Sequence, residues 1–382
     1  MNIFEPDVLQ YGFVNGRGCQ KALITLQTVV NYYTTNGSPV YIASLDASKA
    51  FDRVNHYGLF CKLMGLGIPL YLLNIVINWH LNLNGQVRWN GVFSNVFQIR
   101  SGIRQGGINS TWFFNVYIFE LIIRLRESGF GCHHATVFIG CLFFADDILL
   151  LSASIIHLQN MLYICNNFGL EFDVKFNPIK SHLIQVGLDN NVTLPELMLC
   201  NVFIKWCTQV RYLGIFINSG NKFSISSDTC RRKFLGSVFA ILQKCNNISE
   251  EIKCHIIQHS CLPILTYGND ALRLSEREMH DLSVTYNTAI RRCFYLSKYT
   301  SVRYILHCMG SLPFNMIMDE RYICLVKDCI SPHSSSVLRL CGLLCANDNN
   351  FVDLCLKYRV HYDLTKPAIR TAVHEFLFES LV

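Results

Sequence analysis

The sequence predicts an α+β domain followed by a mostly helical one, with the change of character near Gly220. Three observations predict it. Up to about residue 218, strand-like apolar runs alternate with helical periodicities; from Ser224 onward strand signals thin out; and 382 residues make two to three units at roughly 150 residues each. The expected domains are therefore 1–220 and 221–382.

A short apolar run over 41–45 ends at Asp46 and reads as a buried strand. Helical patterns over 56–63 and 70–83 are separated by Gly65, Gly67 and Pro69. Asn90-Gly91, between apolar stretches, is a two-residue hairpin signal. Glycines over 102–107 lead into a helix over about 109–126, and two strands, 137–144 and 148–151, flank Asp146-Asp147. A helix over 155–168 is expected to close at Gly169, followed by strands near 171–176, 182–187, 199–206 and 210–217. Helices are expected at about 228–246, 249–262, 275–295, 313–330 and 335–345.

Charged residues are 16% of the chain, against about 25% in an average globular protein, and the hydrophobic set is 51%. Extensive disorder is excluded. Mean hydropathy is +0.26, yet no apolar run reaches the ~18 residues of a membrane span. The N-terminus lacks the basic-then-apolar pattern of a signal peptide. An intracellular chain, cytoplasmic or nuclear and without a membrane partner, is expected. Eighteen cysteines include no C-x-x-C pair, which predicts buried thiols in a reducing compartment and not zinc; Cys132-His133-His134 reads as loop chemistry. The net charge of +6 is compatible with a polyanion but too diffuse to argue for one.

The informative feature is acid planted in apolar strands. Asp46 ends Tyr41-Ile42-Ala43-Ser44-Leu45, and Asp146-Asp147 interrupt Cys141-Leu142-Phe143-Phe144-Ala145 and Ile148-Leu149-Leu150-Leu151. A buried carboxylate costs several kcal/mol unless paired or metal-bound, and no basic residue lies within ten positions of Asp146. Facing acids at a hairpin tip make a hard-oxygen site suited to Mg²⁺, and two such ions would clamp a phosphoryl transfer. A surface turn that happens to be Asp-Asp is the alternative. Arg100-Ser101-Gly102-Ile103-Arg104-Gln105-Gly106-Gly107 allows close approach of backbone to a flat ligand or phosphate, or is simply a tight strand-to-helix turn.

Together these pieces resemble a known family. Leu45-Asp46-Ala47-Ser48-Lys49-Ala50-Phe51-Asp52, Gly102-Ile103-Arg104-Gln105-Gly106-Gly107 and Phe144-Ala145-Asp146-Asp147 are similar, in order and spacing, to the first three palm motifs of reverse transcriptases from non-LTR, LINE-type retrotransposons. Asn177-Pro178-Ile179-Lys180-Ser181 resembles the fourth motif, Val210-Arg211-Tyr212-Leu213-Gly214-Ile215 the primer-grip hairpin, and Gln10-Tyr11-Gly12-Phe13-Val14-Asn15-Gly16-Arg17-Gly18 the last fingers motif.

The resemblance implies a polymerase palm, an antiparallel sheet with packed helices, plus partial fingers, followed by a helical thumb and C-terminal region. It implies an RNA-directed DNA polymerase, a nucleotidyltransferase using two Mg²⁺ ions, or Mn²⁺, with RNA template, DNA primer or target, and dNTPs as partners. Asp46 and Asp146 would be the main metal ligands, assisted by Asp147 and the Ala47 carbonyl. Phe51 matches the steric gate against a ribose 2′-hydroxyl; Gln105 and Gly106 would line the nucleotide pocket; Lys180 would be the general acid; Arg17 would contact the triphosphate; and Tyr212, Leu213 and Gly214 would support the primer end. Trp112 stands where the family commonly carries a smaller residue. Only about ten residues precede Gly12-Phe13, so an N-terminally truncated chain with incomplete fingers is expected. The alternative function is then a catalytically inactive nucleic-acid-binding remnant that keeps the palm. A third reading, a helical interaction protein, would use only residues 224–382.

Overall fold

The computed structural model describes residues 4–189, 192–361 and 364–379. The chain divides into two units, Met1–Gly18 with Tyr33–Val210, and Cys19–Tyr32 with Arg211–Val382.

The first unit is built on a strand buried along nearly its whole length, β1 (Val40–Asp46). An apolar run covered on both faces shows no alternation, as Tyr41 to Leu45 does not. β1 pairs antiparallel with β3 (Asp147–Ser152) on one side and β4 (His182–Val186) on the other. β2 (Cys141–Phe144) completes a hairpin with β3, while β5 (Leu197–Leu199) and β6 (Val202–Trp206) extend the other edge, giving the order β5-β6-β4-β1-β3-β2. β6 runs parallel to β4, His182 lying opposite Lys205; the other pairings are antiparallel.

Helices His56–Gly65, Leu70–Leu81, Ser110–Glu127 and Ile155–Phe172 accompany this sheet. The last buries Leu158, Met161, Leu162, Cys165 and Phe168 at helical spacing. Lys62 ties three of them together, pairing with Glu120 while its ammonium lies 3.7 Å from the Phe172 ring centre. Burial pushes the Lys62 pKa down and Glu120 opposes that shift.

Several elements differ from expectation, each for a local reason. The helix from Ile155 does not stop at Gly169 but at Asp173, which takes the left-handed conformation (φ 54°). Gly169 is small because a Cβ there would lie 2.4 Å from the Val174 carbonyl oxygen. The strand expected at 171–176 is reduced to one bridge, Ala47 with Phe176. The run 199–206 is a hairpin turning at Cys200-Asn201, both at positive φ; without glycine, that turn carries no sequence signal. The helix expected at 249–262 is interrupted by a π-helical stretch, Ile257–Cys261, before Leu262–Thr266.

In the second unit, strands Gln209–Tyr212, Ile215–Asn218 and Ser224–Ser226 form a three-stranded sheet, the unit boundary falling inside the first. Helices Asp228–Lys244, Glu276–Cys293 and Phe314–Ile330 enclose a core of Phe234, Val238, Ile257, Leu265, Leu282, Tyr286, Ile290 and Phe314. Ser275 and Glu278 form a reciprocal cap at the start of the second. The helix Cys19–Thr35, absent from the sequence reading, gives most of its length to this unit, Gln27 exchanging two hydrogen bonds with the backbone of Arg273. Its residues Ala22 to Val30 are buried without a break, so it shows no amphipathic stripe. Helices Arg303–Cys308, Asn349–Lys357 and Lys366–Glu379 were likewise unassigned.

All eighteen cysteines are free thiols. Burial pushes the Cys132 thiol up to about 12 and Cys141 and Cys165 upward as well. Alkylation of the native protein at pH 8 is therefore expected to modify exposed Cys61 and Cys308 first and to spare Cys132, Cys141 and Cys165 until denaturant is added. Early labelling of those three, located by peptide mapping, would contradict the packing described.

Candidate active site

The register of the sheet builds the site. Asp46, last residue of β1, is the cross-strand partner of Asp147, first residue of β3. Partners in an antiparallel pair share a face with Cβ atoms about 4.5–5.5 Å apart. The β2–β3 hairpin needs only Ala145 and Asp146 to turn, since Phe144 pairs with Asp147. Asp146 therefore sits in the turn itself, one residue from the Asp46–Asp147 rung. Asp46 is half-buried and Asp146 and Asp147 are exposed. The burial cost expected for acids inside strands is thus avoided: the apolar runs end where the carboxylates begin, and water reaches two of the three.

Two loops clamp this rung. The Asp46 N–H donates to Ser181 Oγ (3.2 Å), Ser181 Oγ–H donates to the Asn177 carbonyl (2.8 Å), and the Asn177 N–H donates to the Asp46 carbonyl (2.9 Å). Exposed Lys180 is carried on that turn. On the other side, segment 9–12 lies along β2: the Tyr11 N–H donates to the Phe143 carbonyl (2.7 Å), and the Phe143 N–H to the Leu9 carbonyl (2.9 Å). Gln10 is 1% exposed, and its Oε1 accepts from the N–H groups of Gly12 (3.1 Å) and Ala145 (3.2 Å). Ala145 holds a positive φ of 57°, a conformation costly for a residue with a Cβ, so its N–H is anchored where the turn is strained. Arg17 fixes segment 9–12 from outside, donating to the carbonyls of Asp7, Gln10 (2.8 Å) and Pro6 (3.4 Å). Its guanidinium pKa is lowered by burial.

Phe51 and the glycine loop form a second cluster. The Gly102 N–H donates to the Val54 carbonyl and the Ile103 N–H to the Phe51 carbonyl, both 2.8 Å. Gly102, at φ 88°, could not carry a Cβ, which would lie 2.7 Å from the Asp52 carbonyl oxygen. The Phe51 ring stacks on Phe114 (4.6 Å between centres). Gly106 has φ 81°, and Gln105 beside it is exposed. A cleft of about 550 Å³ runs along Asp52, Leu83, Asn84, Ile99 and Ser101 to Gln105; the three acids do not line it. Trp112 directs its ring to Phe4 and Phe113 in edge contacts. In the second unit, Tyr212 is buried, and Leu213 and Gly214, at φ 46° and 83°, make the two-residue turn of a hairpin.

Three carboxylates are a hard-oxygen donor set. Among the described residues no group of three or more His, Cys, Asp or Glu side chains is arranged to hold a metal ion, so a site here rests on one or two of these acids. An open set of one or two carboxylates with room for water and phosphate is what Mg²⁺ accepts, so the residues fit such an ion. Gln10 and Ser181, the buried polar groups that fix the rung, had no role in the sequence reading. Their signal was a polar residue within a buried segment, which spacing rules do not flag.

A mixed sheet with packed helices, carrying acids at the facing ends of two neighbouring strands, has the architecture of a polymerase palm. The family described as reverse transcriptase (RNA-dependent DNA polymerase) matches residues 5–217, and the chain belongs to it. The chain is similar to the retrovirus-related Pol polyprotein from type-1 retrotransposable element R2 of Popillia japonica, 26% identical over 300 residues, 76% of this chain and 41% of that protein. It is also similar to the Pol polyprotein from type-2 retrotransposable element R2DM of Drosophila melanogaster, 28% identical over 156 residues, 41% of this chain and 15% of that protein. Among solved structures, apo telomerase from Candida tropicalis matches with a TM-score of 0.45 and 14% identity, over 97% of this chain and 57% of that one. The resemblance to non-LTR reverse transcriptases is thus borne out. The chain spans less than half the length of these two curated relatives. Among the described residues no helix is long and apolar enough to cross a membrane.

Proposed function

We propose that the chain is an RNA-directed DNA polymerase that extends a primer 3′-hydroxyl with dNTPs on an RNA template. The observation that carries it is the register setting Asp46 opposite Asp147 beside the Ala145-Asp146 turn. Asp46, Asp146 and Asp147, with the Ala47 carbonyl, would hold two Mg²⁺ ions, or Mn²⁺. Bound there, such ions stabilise charge on the attacking and leaving oxygens of nucleotidyl transfer. The protein's own part is positioning: Ser181 and Asn177 hold Asp46, and Gln10 holds the turn bearing Asp146. Lys180, on the turn tied to Asp46, would give a proton to the pyrophosphate leaving group. Gln105 and Gly106 line the nucleotide pocket, and Tyr212, Leu213 and Gly214 support the primer end. Support for Arg17 at the triphosphate comes from the family resemblance alone, since its donors serve backbone carbonyls. Residues 1–220 act as palm with residual fingers, and 221–382 as thumb and C-terminal region.

The test is primer extension by the purified chain on an RNA template with and without Mg²⁺. Template-dependent product that disappears with chelator supports the reading; no product at any Mg²⁺ or Mn²⁺ concentration sinks it. Phe51 gives a sharper result. Replacing it by Ala removes the ring stacked on Phe114 and is expected to raise ribonucleotide incorporation relative to dNTPs by about tenfold or more, the range over which a shaped pocket discriminates. Unchanged sugar selectivity in competition assays would remove Phe51 from the gate.

A further inference from the structure

A projecting arm lies between the Phe51 segment and the glycine loop. Asn84–Gly85 pairs with Phe97–Gln98, Arg88–Trp89 pairs with Val92–Phe93, and the tip is Asn90-Gly91, both at positive φ. Register places Trp89 and Val92 on one face and Arg88 and Phe93 on the other. Both faces are open to solvent: Trp89 is 76%, Val92 72% and Phe93 58% exposed. No core has claimed either side, an unusual fate for large apolar residues in a chain with so much buried surface.

Charge identifies what the arm suits. From Arg53 to Phe119 the sequence holds no Asp or Glu, while it holds Arg53, Lys62, Arg88, Arg100 and Arg104. Arg53 lies near Asp173 and Lys62 pairs with Glu120. Arg88, Arg100 and Arg104 are exposed, and none makes an ion pair among the described residues. Arg88 lies over the Phe93 ring at 5.5 Å. Exposed rings interleaved with unpaired arginines are the two ingredients of a single-strand platform, bases stacking on the rings and phosphates meeting the cations. Leu83, Asn84 and Ile99, at the base of the arm, line the same cleft as Arg104 and Gln105. A strand lying on the arm would therefore meet the cleft that Gln105 lines.

We propose that residues 84–98, with Arg100 and Arg104, bind single-stranded RNA template ahead of the pocket, stacking bases on Trp89 and Phe93. This rests on the polymerase reading above, which supplies the template and the direction. The arm would act by holding unpaired template, so its contribution belongs to template affinity and not to the chemical step.

The test titrates the full chain with a fluorescently labelled oligouridylate, followed by anisotropy at several salt concentrations. Combined Trp89→Ala and Phe93→Ala is expected to weaken binding about tenfold or more while leaving the salt slope unchanged. Combined Arg88→Gln, Arg100→Gln and Arg104→Gln is expected to flatten that slope; if the aromatic variant does not fold, this one still decides. Asp146→Asn should bind like the parent. Parental affinity in the aromatic variant, or a parental slope in the arginine variant, overturns the proposal. So does a change in sedimentation with unchanged RNA affinity, which would assign the arm to a protein partner. If the parent fails to extend primers yet binds RNA through Trp89, the polymerase reading falls and the arm's ligand stands; extension with Trp89-independent binding does the reverse.

Discussion

Asp146→Asn is expected to lower Mg²⁺-dependent primer extension by about 10³-fold or more, with RNA affinity unchanged. The substitution keeps the shape of the turn and removes one full negative charge from the open carboxylate set. Charge stabilisation by a metal clamp supplies several kcal/mol to a phosphoryl transfer, and each 1.36 kcal/mol is a factor of ten. The side chain is exposed, so its loss leaves no buried hole and little change in stability. Single-turnover extension with pre-bound primer and template separates the effects: the rate should collapse while the amplitude of complex formation stays. Robust extension by this variant would remove Asp146 from the metal site.

Gly12→Ala is expected to cost about 10²-fold in kcat, with dNTP KM changed much less. A Cβ on Gly12 would lie 2.6 Å from the Ala145 nitrogen and 2.9 Å from the Phe144 carbonyl carbon. These are backbone atoms of the turn that carries Asp146, and they cannot swing aside as a side chain would. Either segment 9–12 or the hairpin tip must move, and a displacement near 1 Å at a reacting centre costs about that factor. Gln10→Ala should act in the same direction, because it strips the acceptor from the Ala145 N–H. Thermal melting within a few degrees of the parent would show that the loss is positional; full activity in Gly12→Ala would mean that the turn holds itself.

Much of the fold was legible because its signals are local. The apolar run before Asp46, the paired runs around Asp146 and the Asn90-Gly91 turn each declare a strand or hairpin within ten residues. What was not legible depends on distant neighbours. The helix Cys19–Thr35 hides because its stretch Ala22 to Val30 is covered all round. Gly169 looks like a stop and is instead a passing place for Val174. The site shows the same division: Asp46, Asp146 and Asp147 are conspicuous as acids in apolar sequence, whereas Gln10 and Ser181 act through hydrogen bonds spanning 135 positions each. The burial argument that drew attention to the acids also needed amendment, since strand ends let two of them meet water.

The central place of β1 has a consequence for the newborn chain. Its two partners, Asp147–Ser152 and His182–Val186, leave the ribosome about a hundred and about 140 residues later. At roughly 5–20 residues per second, Val40–Asp46 waits about 5 to 20 seconds as an apolar ribbon with both edges unpaired, and about 7 to 30 seconds before its second edge can pair. Until its second partner arrives one edge stays open to non-native pairing, whereas the aspartate rung can form as soon as Asp147–Ser152 has emerged.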